Sequence, residues 1–228
     1  MNKVEITPIA YICNDYTSKF GIPRQAGLVE ELESKIVFEK EYRVPEALRG
    51  IEEYSNLWLI WQFSENIKES WSPTVRPPRL GGNIRVGVFA TRSPFRPNGL
   101  GLSCVKLLRV EHSEKMGDVL VVSGADLMNG TPIFDIKPYL PYSDCVPDAQ
   151  EGFAAVPKAE FEVEYANGVK DKIPENKRAA LEKILSYDPR PHYQNDISRI
   201  YGFKFAGMEI KFKMSDGICL ITDAEKIS

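Results

Sequence analysis

The stretch RVGVFATRSPFRPNGLGLS, residues 85–103, decides the reading of the fold. Its first half alternates small and apolar side chains through Gly87, Val88, Phe89 and Ala90, the period of a strand whose two faces differ. Its second half carries Pro94, Pro97, Gly99 and Gly101, which forbid regular pairing, while Arg92, Arg96 and Asn98 offer side-chain donors. The expected product is a stiff, donor-rich loop at a strand end. A polar return, DLMNGTPIFDIKPYLPYSD at residues 126–144, is read as the apposed segment, and its Asn129–Gly130 pair is the strongest short-range turn signal in the chain.

Outward from this centre the chain reads as short strands and loops. Val4 to Cys13 alternates as an opening strand, with Pro8 placing part of it at an edge, and Asn14 to Gly27 is a loop that holds Pro23, Arg24 and Gln25. Ile36 to Phe38 is expected as a strand, Pro45 to Tyr54 as a helix, and LWLIWQF at 57–63 as a buried strand. Ser64 to Asn83 has no apolar period and contains Arg76 and Arg79; a loop of this length is usually functional or disordered, and its arginines favour function. Ser103 to Val110 and Val119 to Asp126 alternate again around a charged turn. This succession closes as a barrel or a sandwich. Composition shifts near Asp148, so residues 1–148 are expected as a mainly β domain and 149–228 as a smaller α+β domain. The latter has a strand within 158–169, a helix over Asn176–Ser186 with Ala179, Leu181, Ile184 and Leu185 on its apolar side, and a small antiparallel set at 201–205, 208–214 and 218–222.

Composition narrows the function. A hydrophobic share of 43% supports a real core, and the longest apolar run, Leu57 to Trp61, is far too short to cross a bilayer. No basic segment followed by an apolar one opens the chain, so a cytoplasmic, soluble protein without a membrane partner is expected. Cys13, Cys104, Cys145 and Cys219 are far apart, as are His112 and His192, so neither a metal site nor a disulfide framework is expected. The net charge of −3 hides an asymmetry: Ile67 to Val110 holds eight Lys or Arg against one acid, whereas Glu30 to Glu53 holds eight acids against four bases. The first suits a polyanion such as nucleic acid; the second reads as a solvated face.

Neither a P-loop nor a GxGxxG between strand and helix is present, and no Ser, His and Asp set stands out. What remains is a cationic loop (Arg92, Arg96) opposite a segment bearing Asp126, Asn129, Asp135, Lys137, Tyr139 and Asp144. Arg against carboxylate and Asp against ammonium suit a zwitterionic small molecule. A structural reading, in which Asp126 and Asn129 shape a hairpin and Lys137 is a surface charge, weighs about equally.

The strings PRQAG, VRPPRLGGN, GVFATRSPFRPNGLGLS, DLMNGTPIFDIKPYLPYSD and DPRPHY resemble the TsaA-like (TrmO) family, in order, over most of residues 5–145 and on into the C-terminal region. The resemblance implies a single-sheeted antiparallel β-barrel, a homodimer, and an S-adenosylmethionine-dependent methyltransferase acting on N6 of threonylcarbamoyl-adenosine beside the tRNA anticodon. Carried over, the cofactor contacts fall on Pro23, Arg24, Gln25, Phe63, Ser64, Arg92, Leu102, Asp126, Leu127, Met128 and Asn129. Substrate contacts are expected at Arg76, Arg79, Arg96, Lys137 and Tyr139, with Tyr142 or Trp71 as further stacking candidates. Ser64 stands where related sequences often carry histidine, and Gly99–Leu100 where many carry proline and isoleucine. The base that removes the N6 proton is left open among Asp126, Asp135, Asp144, Lys137 and a tyrosine. The rival reading is a non-catalytic RNA-binding protein that senses S-adenosylmethionine; methylation of a small metabolite is a third.

Overall fold

The computed structural model describes residues 4–66, 70–154, 160–190, 196 and 198–227, except the side chain of Arg79. In chain order the strands are β1 Ala10–Cys13, β2 Glu33–Phe38, β3 Asn56–Gln62, β4 Thr74–Val75, β5 Val86–Gly87, β6 Leu100–Ser113, β7 Gly117–Ser123 and β8 Pro132–Pro138. The short helix α1 Pro141–Asp144 follows, then β9 Glu162–Tyr165, α2 Glu175–Ser186, β10 Tyr201–Phe205, β11 Met208–Ser215 and β12 Ile218–Lys226.

Six strands pair antiparallel in the order β1-β2-β7-β6-β3-β8, and β8 pairs with β1 as well as β3, so the order closes on itself. One-sided burial explains the alternation in sequence. Leu57, Leu59 and Trp61 of β3 point into a core shared with Ile12, Ile36, Val105, Leu120 and Ile133, while Trp58, Ile60 and Gln62 face outward. β6 makes the closure possible. Its first half pairs with β3 and its second with β7, and a register shift between Leu107 and Arg109 bends it at the change of partner.

The C-terminal sheet runs β10-β11-β12-β9, with α2 packed on it through Ala180, Leu181, Ile184 and Leu185. Its core also takes in Tyr16, Val29 and Leu32 from the β1–β2 connection, so that connection belongs to both halves of the molecule.

Several expectations are corrected. Residues 85–90 give only the two-residue β5, paired with β4 outside the closed sheet, followed by a 3₁₀ turn at Val88–Ala90. Pro45–Tyr54 is not one helix but two 3₁₀ turns, Pro45–Leu48 and Ile51–Glu53, separated by Gly50 at φ 85°. Asn129–Gly130 does not join hairpin partners, because β7 and β8 are not neighbours; Gly130 N–H instead donates to Ile12 O at 2.8 Å. The expected antiparallel set is present as β10-β11-β12, and β9 joins it running parallel to β12. On α2 it is Ala180, not Ala179, that is buried. The acidic segment is more than a solvated face: Glu33 pairs with Arg109 at 2.9 Å, so the two oppositely charged segments partly neutralise each other.

Candidate functional site

A hollow of about 840 Å³ opens where the β1–β2 connection, the end of β3, the loop before β6 and the segment after β7 converge. Two glycines bring the first and last of these together. Gly27 N–H donates to Gly124 O at 2.8 Å; a Cβ on Gly124 would stand 3.2 Å from Gly27 backbone, so the close approach of Pro23–Ala26 to the exit of β7 needs glycine at 124, while Gly27 supplies a left-handed φ of 81°. A third glycine shapes the floor. A Cβ on Gly101 would fall 2.2 Å from the Trp61 ring, so its absence lets the indole lie flat across β6.

From that position Trp61 Nε1–H donates to Ser103 Oγ at 2.9 Å, and Ser103 Oγ–H donates to Asp126 Oδ1 at 2.5 Å. Burial pushes the Asp126 carboxyl above the usual carboxylate range, against the opposing pull of the Ser103 hydrogen bond and of Arg92 across the hollow. Arg92 Nη1 donates to Gln25 Oε1. The hollow therefore presents a guanidinium and a carboxylate on separate walls, with Trp61 and Phe63 (ring centroids 4.3 Å apart), Leu100, Leu102 and Met128 between them.

Of the residues expected at a cofactor site, Pro23, Arg24, Gln25, Phe63, Ser64, Arg92, Leu102, Asp126 and Met128 line this hollow. Two do not. Leu127 is fully buried in the core of the closed sheet, and Asn129 Oδ1 accepts from Asn14 N–H at 3.0 Å, holding the turn. Arg24 Nη2 also donates to Asp188 O and Arg190 O, at 3.3 and 3.1 Å.

Among the expected substrate contacts whose side chains are described, only Arg96 lines the hollow, and its guanidinium braces the loop through Thr91 O at 3.0 Å and Ser93 O at 3.3 Å. Arg76 is exposed on the approach beyond β4, and the Arg79 side chain lies outside the described residues. Lys137 pairs with Asp135 at 2.9 Å on β8, and Tyr139 packs on Trp58 with centroids 5.7 Å apart. Asp144 accepts from Trp58 Nε1–H and Leu140 N–H, both at 2.9 Å, bonds that hold its carboxyl below the usual range. Of DPRPHY, residues 191–193 lie outside the described residues.

Sequence reasoning missed Lys19, Ser103 and Thr131, and took the β3 aromatics Trp58 and Trp61 as core residues first and stacking candidates only second. Lys19 Nζ bridges to Glu65 O at 2.7 Å and Asn66 Oδ1 at 3.2 Å, and Thr131 lines the wall beside Met128. The one available signal was the serine at an inward position of β6, a polar residue where alternation demands an apolar one.

A closed antiparallel sheet beside a mixed-charge, aromatic-floored hollow defines a mainly β protein, unlike the parallel-sheet nucleotide binders. Two family models divide the chain between them. The tRNA-methyltransferase O N-terminal domain matches residues 11–145 and the TrmO C-terminal domain matches 158–227, so the chain belongs to the tRNA-methyltransferase O family. It is 37% identical over 226 residues to a tRNA (adenine(37)-N6)-methyltransferase of Escherichia coli K12, covering 95% of each chain. A Pseudomonas aeruginosa protein named as a candidate S-adenosylmethionine-dependent methyltransferase is 38% identical over 213 residues, 90% of each. A crystal structure of TrmO from Pseudomonas aeruginosa superposes with a TM-score of 0.80 at 30% identity, over 98% of both chains.

Proposed function

We propose that this chain is an S-adenosylmethionine-dependent methyltransferase acting in the cytoplasm on N6 of threonylcarbamoyl-adenosine at position 37 of tRNA. The observation that carries the reading is the opposition of Arg92 and Asp126 across one hollow. The donor set fits the cofactor: a guanidinium for a carboxylate, a carboxylate for ammonium or sulfonium, and Trp61 and Phe63 for a nucleobase. At about 840 Å³ the hollow is toward the large end of small-molecule sites, roughly 300–1,000 Å³, which leaves room for a target base beside the cofactor.

When bound, S-adenosylmethionine supplies an electrophilic methyl on a good leaving group, so the chain's task is orientation and removal of one proton. Arg92, held by Gln25, orients the carboxylate end. Asp126 provides the negative pole. Of the three aspartates it is the one that lines the hollow, whereas Asp135 pairs with Lys137 and Asp144 accepts two N–H donors, so Asp126 would be the group to take the N6 proton. In the overall balance a carbon–sulfur bond breaks, a carbon–nitrogen bond forms, and the N6 proton passes to Asp126 and then to water. Arg76 and Arg85 have no carboxylate within ion-pair distance among the described residues, which leaves them for tRNA phosphates.

We further infer a homodimer built on a barrel. On the outer face of β3 and β6, Ile60 pairs with Leu102 and Gln62 with Leu100; the two leucines, which also line the hollow, are 59% and 39% exposed, so a second copy covering them would close the hollow as well. Light scattering giving one chain per particle would overturn this part alone.

The test is methyl transfer from labelled S-adenosylmethionine to tRNA that carries threonylcarbamoyl-adenosine. Label in nucleoside 37 is expected; cofactor binding with no label in any tRNA would favour the sensing reading, and label in small molecules alone would favour the third.

A further inference from the structure

The turn at Asp188–Arg190 lies more than 160 residues from Arg24 in the chain yet supplies two of its hydrogen-bond acceptors. The turn is unusually well fixed. Asp188 adopts φ 49°, a left-handed conformation uncommon for a residue with a side chain, and its N–H donates to Leu185 O at the end of α2. Its carboxylate then takes Arg190 N–H at 3.2 Å, Nε–H at 2.8 Å and Nη2–H at 3.2 Å. Both residues are buried, and the Arg190 guanidinium lies 5.6 Å from the centre of the Tyr201 ring, itself stacked on Phe212. A two-residue spacing closed by a forked, charge-assisted pair turns the carbonyls of residues 188 and 190 toward one point, and Arg24 Nη2 occupies that point.

The consequence runs directly into the hollow. Arg24 is followed by Gln25, whose amide donates back to Arg24 O and whose Oε1 receives Arg92. A buried ion pair is a poor source of net stability but a good way to enforce a single geometry, and here the geometry enforced is that of a wall of the binding site. We propose that Asp188 and Arg190 are positioning residues for cofactor binding: the pair holds two carbonyls that set Arg24, and through Gln25 the C-terminal region sets Arg92. The inference rests on the reading of the hollow as an S-adenosylmethionine site.

The test is a double-mutant cycle read by calorimetry with S-adenosylmethionine on the full chain. Arg190→Lys keeps the charge and removes the fork; Arg24→Lys keeps the charge facing the hollow and removes the shared Nη2. Each single variant is expected to weaken the cofactor about tenfold, and the double variant no more than either alone, because residues acting through one contact are not additive. For Arg190→Lys, at saturating cofactor and tRNA, kcat is expected to stay near that of the parent while KM for the cofactor rises. Additive losses, or an unchanged affinity in Arg190→Lys with a normal melting temperature, would overturn the proposal. Asp188→Asn, nearly isosteric, runs the same cycle and decides the matter if Arg190→Lys does not fold. A parent protein that gives no heat with S-adenosylmethionine overturns the reading of the hollow itself and this inference with it, whereas a parent that binds while the cycle is additive overturns only the inference.

Discussion

Asp126 is where the demands of the site and of the fold oppose each other. Its carboxyl is half-buried against Ser103 and Trp61, and burial raises its pKa. The sign of the linkage follows. A group whose folded pKa lies above its unfolded value stabilises the fold at low pH, and that contribution is lost as pH rises from the ordinary aspartate range through the raised value. Asp126→Asn should therefore melt higher than the parent in the neutral range without ligand, with the difference vanishing in acid, while its cofactor affinity falls; a parallel pair of melting-temperature curves from acid to neutral pH would refute this. Gly101 makes a different kind of demand. Replacing it with alanine drives a Cβ to 2.2 Å from Trp61, so the indole must leave the floor; a loss of about 1–3 kcal/mol in chemical denaturation is expected, with loss of the Trp61 to Ser103 hydrogen bond and of cofactor binding. Residues such as these show why only part of the site was legible. Arg92 and Asp126 could be picked out because charges in a Pro- and Gly-rich context are conspicuous, whereas Trp61 and Trp58 look like any strand aromatics until the strand's two faces are known.

At the scale of elements, legibility followed burial. β3, β6, β10 and α2 were readable because each buries one face, and a two-sided environment writes its period into the sequence. Local signals without a buried face failed. Asn129–Gly130 does report a left-handed turn, with Gly130 at φ 80°, but a turn signal says nothing about which strands flank it. Pro45 opened a helical reading that Gly50 ends, and Gly87, between short β5 and a 3₁₀ turn, lacks the side chain that would anchor a longer strand. The β1–β2 connection is the element with most consequence. Gly21 sits at φ 93°, and a Cβ there would come within 2.3 Å of the Phe203 ring on β10. Gly21→Ala is expected to cost about 1–3 kcal/mol by overpacking, before the backbone strain is counted. Because the same connection carries Pro23–Gln25, the loss should appear in cofactor affinity as well as in the melting temperature. A destabilised variant with parent-like affinity would show that the connection's packing and its binding wall are independent.

For the whole molecule, the opposed charge segments organise function more than stability. Arg109 and Lys106 are matched by Glu33, Glu111 and Glu30 on the flank of the closed sheet, exposed pairs of small energetic value that nonetheless remove two cations from the basic surplus. The unmatched arginines are left on the β4–β5 side, next to the hollow, where Arg85 is braced by Thr74 Oγ1 at 3.0 Å and the exposed Trp71 and Phe89 rings lie 6.1 Å apart. An acidic protein with a pI near 5.6 can thus present a local cationic approach to tRNA. Counterion release makes the claim measurable. Every phosphate that a variant no longer neutralises should reduce the slope of log K against log salt by roughly 0.7–0.9, so Arg76→Ala with Arg85→Ala should flatten the slope by about twice that and weaken tRNA binding most at low salt. Cofactor affinity should not move, since neither side chain lines the hollow. Replacing Lys106 and Arg109 instead should leave the slope nearly unchanged, because their charge is already neutralised within the protein. Equal slopes for the two double variants would mean that tRNA approaches by another face, and the placement of its phosphates along β4 and β5 would have to be abandoned.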